Sequence, residues 1–210
     1  MFASSQVELL ELTLRVMADY PLQKTCNAVF FYGQTADNER SVIEQCAFLF
    51  DQGLVNNVAF STGGSLTTGQ PWAPDYQAKL TDLGVFKQNI IPVRITAPKA
   101  HTHTEAIAFV DYAKEQGWES VYVTGSPVHQ LRVFVNTVSI VLQKGVKLKV
   151  LSAPGTPLPW TQTAIHSQNV ERGKRFELVL NEFNRIEAYH AKGDLVSARQ
   201  VLDYLNSRDQ

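Results

Sequence analysis

Short apolar runs alternate with longer stretches whose apolar residues recur every three to four positions, and the alternation persists from Ala28 to Leu151. The short runs, Ala28 to Tyr32, Asn57 to Ser61, Ile90 to Ile95, Val121 to Val123 and Lys147 to Leu151, are rich in β-branched and aromatic residues and read as buried strands. Between them, Asp37 to Phe50 places Val42, Ile43, Cys46, Leu49 and Phe50 on one helical face, and Gly53 closes that helix. Asp75 to Leu83, stopped by Gly84, residues 104–116, and a helix from about Pro127 to residue 143, stopped by Gly145, complete the pattern. Pro92 puts the third strand at an edge, because proline donates nothing to a ladder. Strands alternating with helices predict an α/β three-layer sandwich, a five-stranded parallel sheet covered on both faces, with strand order 3-2-1-4-5 and right-handed crossovers.

The flanks follow other rules. Residues 4–18 carry Val7, Leu10, Leu14 and Met17 at helical spacing, predicting an N-terminal amphipathic helix docked through those four side chains and ended by Pro21. Glu8, Glu11 and Arg15 interrupt it, so it is read as neither a signal nor a membrane segment. Beyond Leu151, Pro154, Gly155, Pro157 and Pro159 impose a loop; residues 169–190 are helical in pattern; Leu195 to Leu205 makes a last helix with Val196, Arg199, Val201 and Leu205 spaced for docking. No repeat or low-complexity linker divides the chain. The expectation is one domain, 1–210, with a core at 22–152, an N-terminal helix within 1–20 and an appendage at 153–210.

Composition narrows the partners. Across 210 residues, 19 basic and 20 acidic side chains and a pI near 6.5 leave no footprint for nucleic acid and no polybasic surface for a membrane. Cys26 and Cys46 each sit in apolar sequence, which suits buried thiols in a reducing, cytoplasmic compartment.

In an open parallel sheet a ligand lies outside the carboxyl ends of the strands, where crossovers diverge. The segments there are polar or glycine-rich: Gly33, Gln34 and Thr35; Ser61, Thr62, Gly63, Gly64 and Ser65; Thr96 to Glu105; Thr124, Gly125, Ser126 and on to His129. Adjacent glycines admit close backbone approach, and the hydroxyls around them can donate to a phosphate or carboxylate. Neither Gly-x-x-x-x-Gly-Lys-Ser/Thr nor Gly-x-Gly-x-x-Gly occurs, which disfavours a P-loop enzyme and an ordinary nicotinamide dehydrogenase. In Val121 to Arg132, strand breaks into loop and loop into helix; His129 and Arg132, three apart, share a face beside the helix's unpaired N–H groups, a corner suited to an anion. His129 is then a candidate acid/base or ligand-binding group and Arg132 a clamp for carboxylate or phosphate. Ser126 as a nucleophile lacks the Gly-x-Ser-x-Gly elbow. A metal reading gathers His101, His103, Glu105 and His129, alternate histidines on an extended segment pointing the same way; against it, Thr102 or Thr104 serves as the cap of the following helix.

Taken together, Ser61-Thr62-Gly63-Gly64, the Thr102 to Ala106 segment opening a helix, and Val-Thr-Gly-Ser-Pro-Val-His-Gln-Leu-Arg at 123–132 resemble the YdcF/SanA/ElyC family over about residues 28–150. The tail, with Arg185-Ile186, Tyr189, Lys192-Gly193-Asp194 and Tyr204-Leu205, is similar to that of cytosolic members. The family usually has Asn-Thr-x-Glu-Asn-Ala where this chain has His101 to Ala106, and one extra residue separates Thr124 from His129 here. The resemblance implies a Rossmann-like fold, a largely unknown function, and a link to S-adenosylmethionine binding. The expected role is that of a soluble protein binding a nucleotide-like, phosphorylated or otherwise anionic small molecule through Gly33, Gln34, Thr62, Gly63, Gly64, Thr102, Thr104, Glu105, Thr124, Gly125, Ser126 and Arg132, with His129 as the candidate catalytic group. The alternatives are a metal-assisted hydrolase and a non-catalytic interaction module that meets its partner through the C-terminal helices.

Overall fold

The structure, a computed structural model, describes residues 4–19, 25–62, 73–98, 100–166 and 171–210. Five strands, β1 (Ala28–Phe31), β2 (Val58–Thr62), β3 (Ile90–Arg94), β4 (Ser120–Thr124) and β5 (Lys149–Ser152), form one parallel sheet in the order β3-β2-β1-β4-β5. The strand order expected from the alternation is the one found. β1 is central, with Phe31 level with Phe60 on one side and Thr124 on the other.

Alternation along β1 assigns the two layers. Val29 and Phe31 pack with Phe60, Tyr122 and Leu151 against α2 (Ala36–Asp51) and α3 (Ala73–Asp82), through Val42, Ile43, Cys46, Tyr76 and Leu80. Phe30 and Tyr32 face the opposite way, into a cluster built on α4 (Thr102–Glu115) and α5 (Gln130–Lys144). There the Phe30 and Phe109 rings stack at 4.1 Å between centroids. The helices divide between the faces at β1, so the switch in crossover direction falls between β1 and β4.

β3 is an edge strand, as Pro92 predicted. Ile95 N donates to Thr62 O at 2.7 Å, so the odd-numbered amides turn toward β2 and Pro92 stands where an N–H would otherwise point off the sheet. The middle of this edge offers no donor to an incoming strand.

The helix starts differ from those expected. α4 begins at Thr102, with His101 as its cap residue; Thr104 instead bonds back, accepting from His101 N at 3.0 Å and donating to His101 O at 2.9 Å. α5 begins at Gln130, because Pro127 belongs to a turn in which Ser126 O accepts from both His129 N and Gln130 N.

The flanks bring larger corrections. α1 (Ser4–Met17) docks, but through Leu12 and Val16; Val7, Leu10, Leu14 and Met17, expected to dock, are exposed. Part of the stretch expected to open a helix at 169 is an antiparallel hairpin, β6 (Thr163–His166) with β7 (Glu171–Lys174), and α6 (Arg175–Ala191) starts only after it. α7 (Ala198–Arg208) starts three residues later than expected, because Ser197 caps it, accepting from Gln200 N. Leu195, Val201, Leu202 and Leu205 are buried in the α4/α5 cluster.

Candidate functional site

The segment after β1 meets a carboxylate. Gly33 N donates to Glu105 Oε1 at 2.8 Å, and Ser61 Oγ, at the end of β2, bonds to the same oxygen. Glu105 comes from the first turn of α4, whose crossover passes from β3 to β4 over the β1 end. Burial pushes its carboxyl above the ordinary range, opposed by the bonds from Ser61 and Gly33 and by the charge of Arg132. Gln34 is also buried: its backbone N–H reaches Tyr76 OH at 3.3 Å, and its side-chain Nε2 donates to Tyr32 O at 3.0 Å.

His129 closes the β4 side of this crevice. Its Nδ1 lies 3.5 Å from Gln34 Nε2 and its Nε2 lies 3.4 Å from Thr102 Oγ1, so one imidazole spans the β1 segment and the start of α4. Thr102 is shared, because Arg132 Nη1 donates to its hydroxyl at 2.6 Å. Arg132 also forms a buried two-point pair with Glu182 of α6, at 2.7 Å from Nε and 3.2 Å from Nη2. The structure therefore gives Arg132 to Thr102 and Glu182, where it holds three helices together, rather than to a ligand anion.

Thr124 and Ser126 contribute a different feature. Both are buried, and their hydroxyl oxygens have no hydrogen-bond partner among the described residues. A buried hydroxyl left unpaired is costly, so such groups commonly face a ligand or an ordered water. Thr124 sits level with Phe31, and Ser126 follows it into the same segment as His129.

Gly125 is structural. Its N–H donates to Gln130 Oε1 at 2.6 Å, while its carbonyl accepts from Gly155 N at 2.9 Å. Gly155 is needed there, since a Cβ would collide with Ser41 Oγ and Gly125 O. Gln130, which sequence reasoning passed over, is fully buried and also donates to Val123 O and Ser152 Oγ, locking the ends of β4 and β5.

Of the expected site residues, Gly33, Gln34, Glu105, Thr102 and His129 come together through direct bonds; Ser126 opens the turn that leads to His129, and Thr124 ends β4 level with Phe31. Thr62 ends β2 with its hydroxyl 3.4 Å from Val93 O. Thr104 faces elsewhere, into an open cleft of ≈ 480 Å³ between α4 and the edge of β3. Gly63 and Gly64 lie outside the described residues. The metal cluster is not assembled: Glu105 is turned to Gly33 and Ser61, His129 to Gln34 and Thr102, and no group of three His, Cys, Asp or Glu side chains among the described residues could hold an ion. The residues missed are Gln130 and Glu182, while the sequence places Ser61 at the strand end but not among the ligand-binding residues; Glu182 lies 50 positions from Arg132, and no local pattern links them.

Comparisons of the chain with protein-family models, curated proteins and solved structures return no match. Among the described residues, no helix is long and apolar enough to cross a membrane.

Proposed function

We propose that the chain binds a small polar molecule, nucleotide-like or bearing an anionic group, in the crevice between the segments that follow β1 and β4. The observation that carries this reading is the pair of buried hydroxyls of Thr124 and Ser126, unpaired among the described residues, at and just beyond the carboxyl end of β4, the neighbour of β1 where the crossovers diverge, with Ser126 opening the turn that leads to His129. Thr124 and Ser126 supply donors for a ligand oxygen, and the His129 imidazole adds a further hydrogen-bonding group. Glu105 supplies an acceptor for a hydroxyl or amine. Arg132 acts indirectly, through Thr102. The resemblance to the YdcF/SanA/ElyC family makes S-adenosylmethionine the first ligand to try. Cys26 and Cys46 are buried and unbridged, which suits a reducing compartment such as the cytoplasm.

The test is calorimetric titration with S-adenosylmethionine, adenosine monophosphate and inorganic phosphate, alongside native mass spectrometry of the freshly purified protein. At least one probe, or a co-purifying small molecule, is expected to bind. Ser126→Ala and His129→Gln should each weaken binding about tenfold or more, the equivalent of one lost hydrogen bond to a charged group. Binding by none of the three together with an empty native spectrum, or binding indifferent to both substitutions, overturns the reading.

A further inference from the structure

Helix α1 is apolar on two opposite faces. Leu12 and Val16 are buried and Leu9 packs partly against the same core, while Val7, Leu10, Leu14 and Met17 are 51%, 54%, 62% and 38% exposed. With about 3.6 residues per turn the two stripes fall on opposite sides of the helix. A contiguous apolar stripe left facing solvent marks a surface that a partner can cover.

The spacing of the exposed stripe says what kind of surface fits it. Positions 7, 10, 14 and 17 advance by three, four and three, the repeat with which one helix seats its side chains between those of another. One flank carries Glu11 and Arg15, 3.7 Å apart, with Arg15 also bonded to Asn206 at 2.7 Å and Asp209 at 3.0 Å in its own chain, and the other Gln6 and Thr13. In a parallel pair of α1 helices each charged flank would meet the uncharged one. In an antiparallel pair the same flanks meet, and Glu11 of each copy comes beside Arg15 of the other.

We propose that this face joins two copies of the chain, with α1 packed antiparallel on its counterpart about a two-fold axis beside Leu12. That axis sets Val7 against Met17 and Leu10 against Leu14 of the second copy, then repeats both layers in reverse, so the surface is complementary to itself. The charged flanks add two reciprocal Glu11–Arg15 contacts at the rim, which fix orientation more than affinity.

Sedimentation velocity of the full chain over a wide concentration range tests this. A monomer–dimer equilibrium is expected, and Leu14→Glu should weaken it at least tenfold while leaving the melting temperature unchanged at concentrations where the wild type is monomeric, since that side chain faces solvent in the single copy. The orientation is tested separately: Glu11→Arg and Arg15→Glu should each weaken self-association, and an equimolar mixture of the two should restore it through mixed dimers. A wild-type chain that stays monomeric throughout, or a dimer unaffected by Leu14→Glu, overturns the proposal. Leu14-dependent binding of a monomeric wild-type chain to phosphatidylcholine/phosphatidylglycerol vesicles would assign the face to a lipid surface instead. Failure of the mixture to recover would remove the antiparallel arrangement.

Discussion

Glu105 shows how one side chain ties strand ends together at a cost. Its carboxylate accepts from Gly33 and Ser61, yet burial disfavours the charged form and raises its pKa above the ordinary 4.5. With the folded-state value above the unfolded one, the folded chain binds the proton more tightly. Stability from this group is complete below the unfolded pKa and declines as pH rises through the folded one. A glutamine keeps an acceptor for Gly33 and Ser61 and carries no charge. Glu105→Gln should therefore melt with the wild type at pH 4 and above it at pH 7–8, in thermal melts followed by circular dichroism across that range; a difference independent of pH would show that desolvation of the carboxylate is not what matters. Arg132 and Glu182 balance differently, since both are buried and each satisfies the other. Removing one partner of such a pair costs about 3–5 kcal/mol. The sequence made His129, Thr102 and Glu105 candidates because local spacing placed them at strand ends. It left the role of Arg132 undetermined, because a guanidinium near a helix start looks alike whether it meets a ligand or a carboxylate 50 residues away.

At the scale of elements, the strands were legible and the two ends of the chain were not, for reasons of periodicity. α1 has apolar residues at 7, 10, 14 and 17 and again at 9, 12 and 16, and helical spacing alone cannot rank two such stripes. β7 reads Glu-Arg-Gly-Lys, with no apolar alternation, so nothing local marks it as a strand; tertiary bonds hold the hairpin instead. Ile165 N donates to Asp37 Oδ2 and Ile165 O accepts from Thr35 Oγ1, pinning β6 across the first turn of α2. Arg175 reinforces that contact, reaching Asn38, Asp37 O, Pro159 O and Gln162. The free edge of β5 is closed in a similar way by side chains from both ends of the chain. Tyr204 OH donates to Leu148 O and accepts from Val150 N, Arg208 donates to Val150 O, and Asp19 accepts from Ser152 N. An edge answered in this way offers little to a foreign strand. Tyr204→Phe strands Val150 N–H and Leu148 O under α7 and should cost about 1–3 kcal/mol in urea unfolding with the slope unchanged. A loss below a few tenths of a kcal/mol would mean that water replaces the hydroxyl.

For the whole molecule, the arrangement separates two surfaces. The crevice opens at the carboxyl ends of β1 and β4, whereas the exposed stripe of α1 lies on a helix that packs against α5 and α7, so self-association and ligand binding need not compete. The C-terminal region, which the sequence presents as an appendage, is built into the core. α7 buries Val201, Leu202 and Leu205 in the cluster shared with α4 and α5, and Arg208 forms a buried pair with Asp19 at the end of the α1 segment. Fully burying each of the three aliphatic side chains contributes about 1.5–3 kcal/mol. Losing α7 would also leave Asp19 and the β5 edge without these partners, and the sum is comparable with the total of about 5–15 kcal/mol by which a domain of this kind is stable. A chain ending at Val196 is therefore expected to lose its cooperative thermal transition and its near-ultraviolet circular dichroism while keeping much of its helical far-ultraviolet signal, since the local pattern of α2, α4 and α5 survives the cut. A cooperative melt within a few degrees of the intact protein would instead show that the sheet and its four crossover helices stand alone, and that α7 only covers an edge they can leave to water.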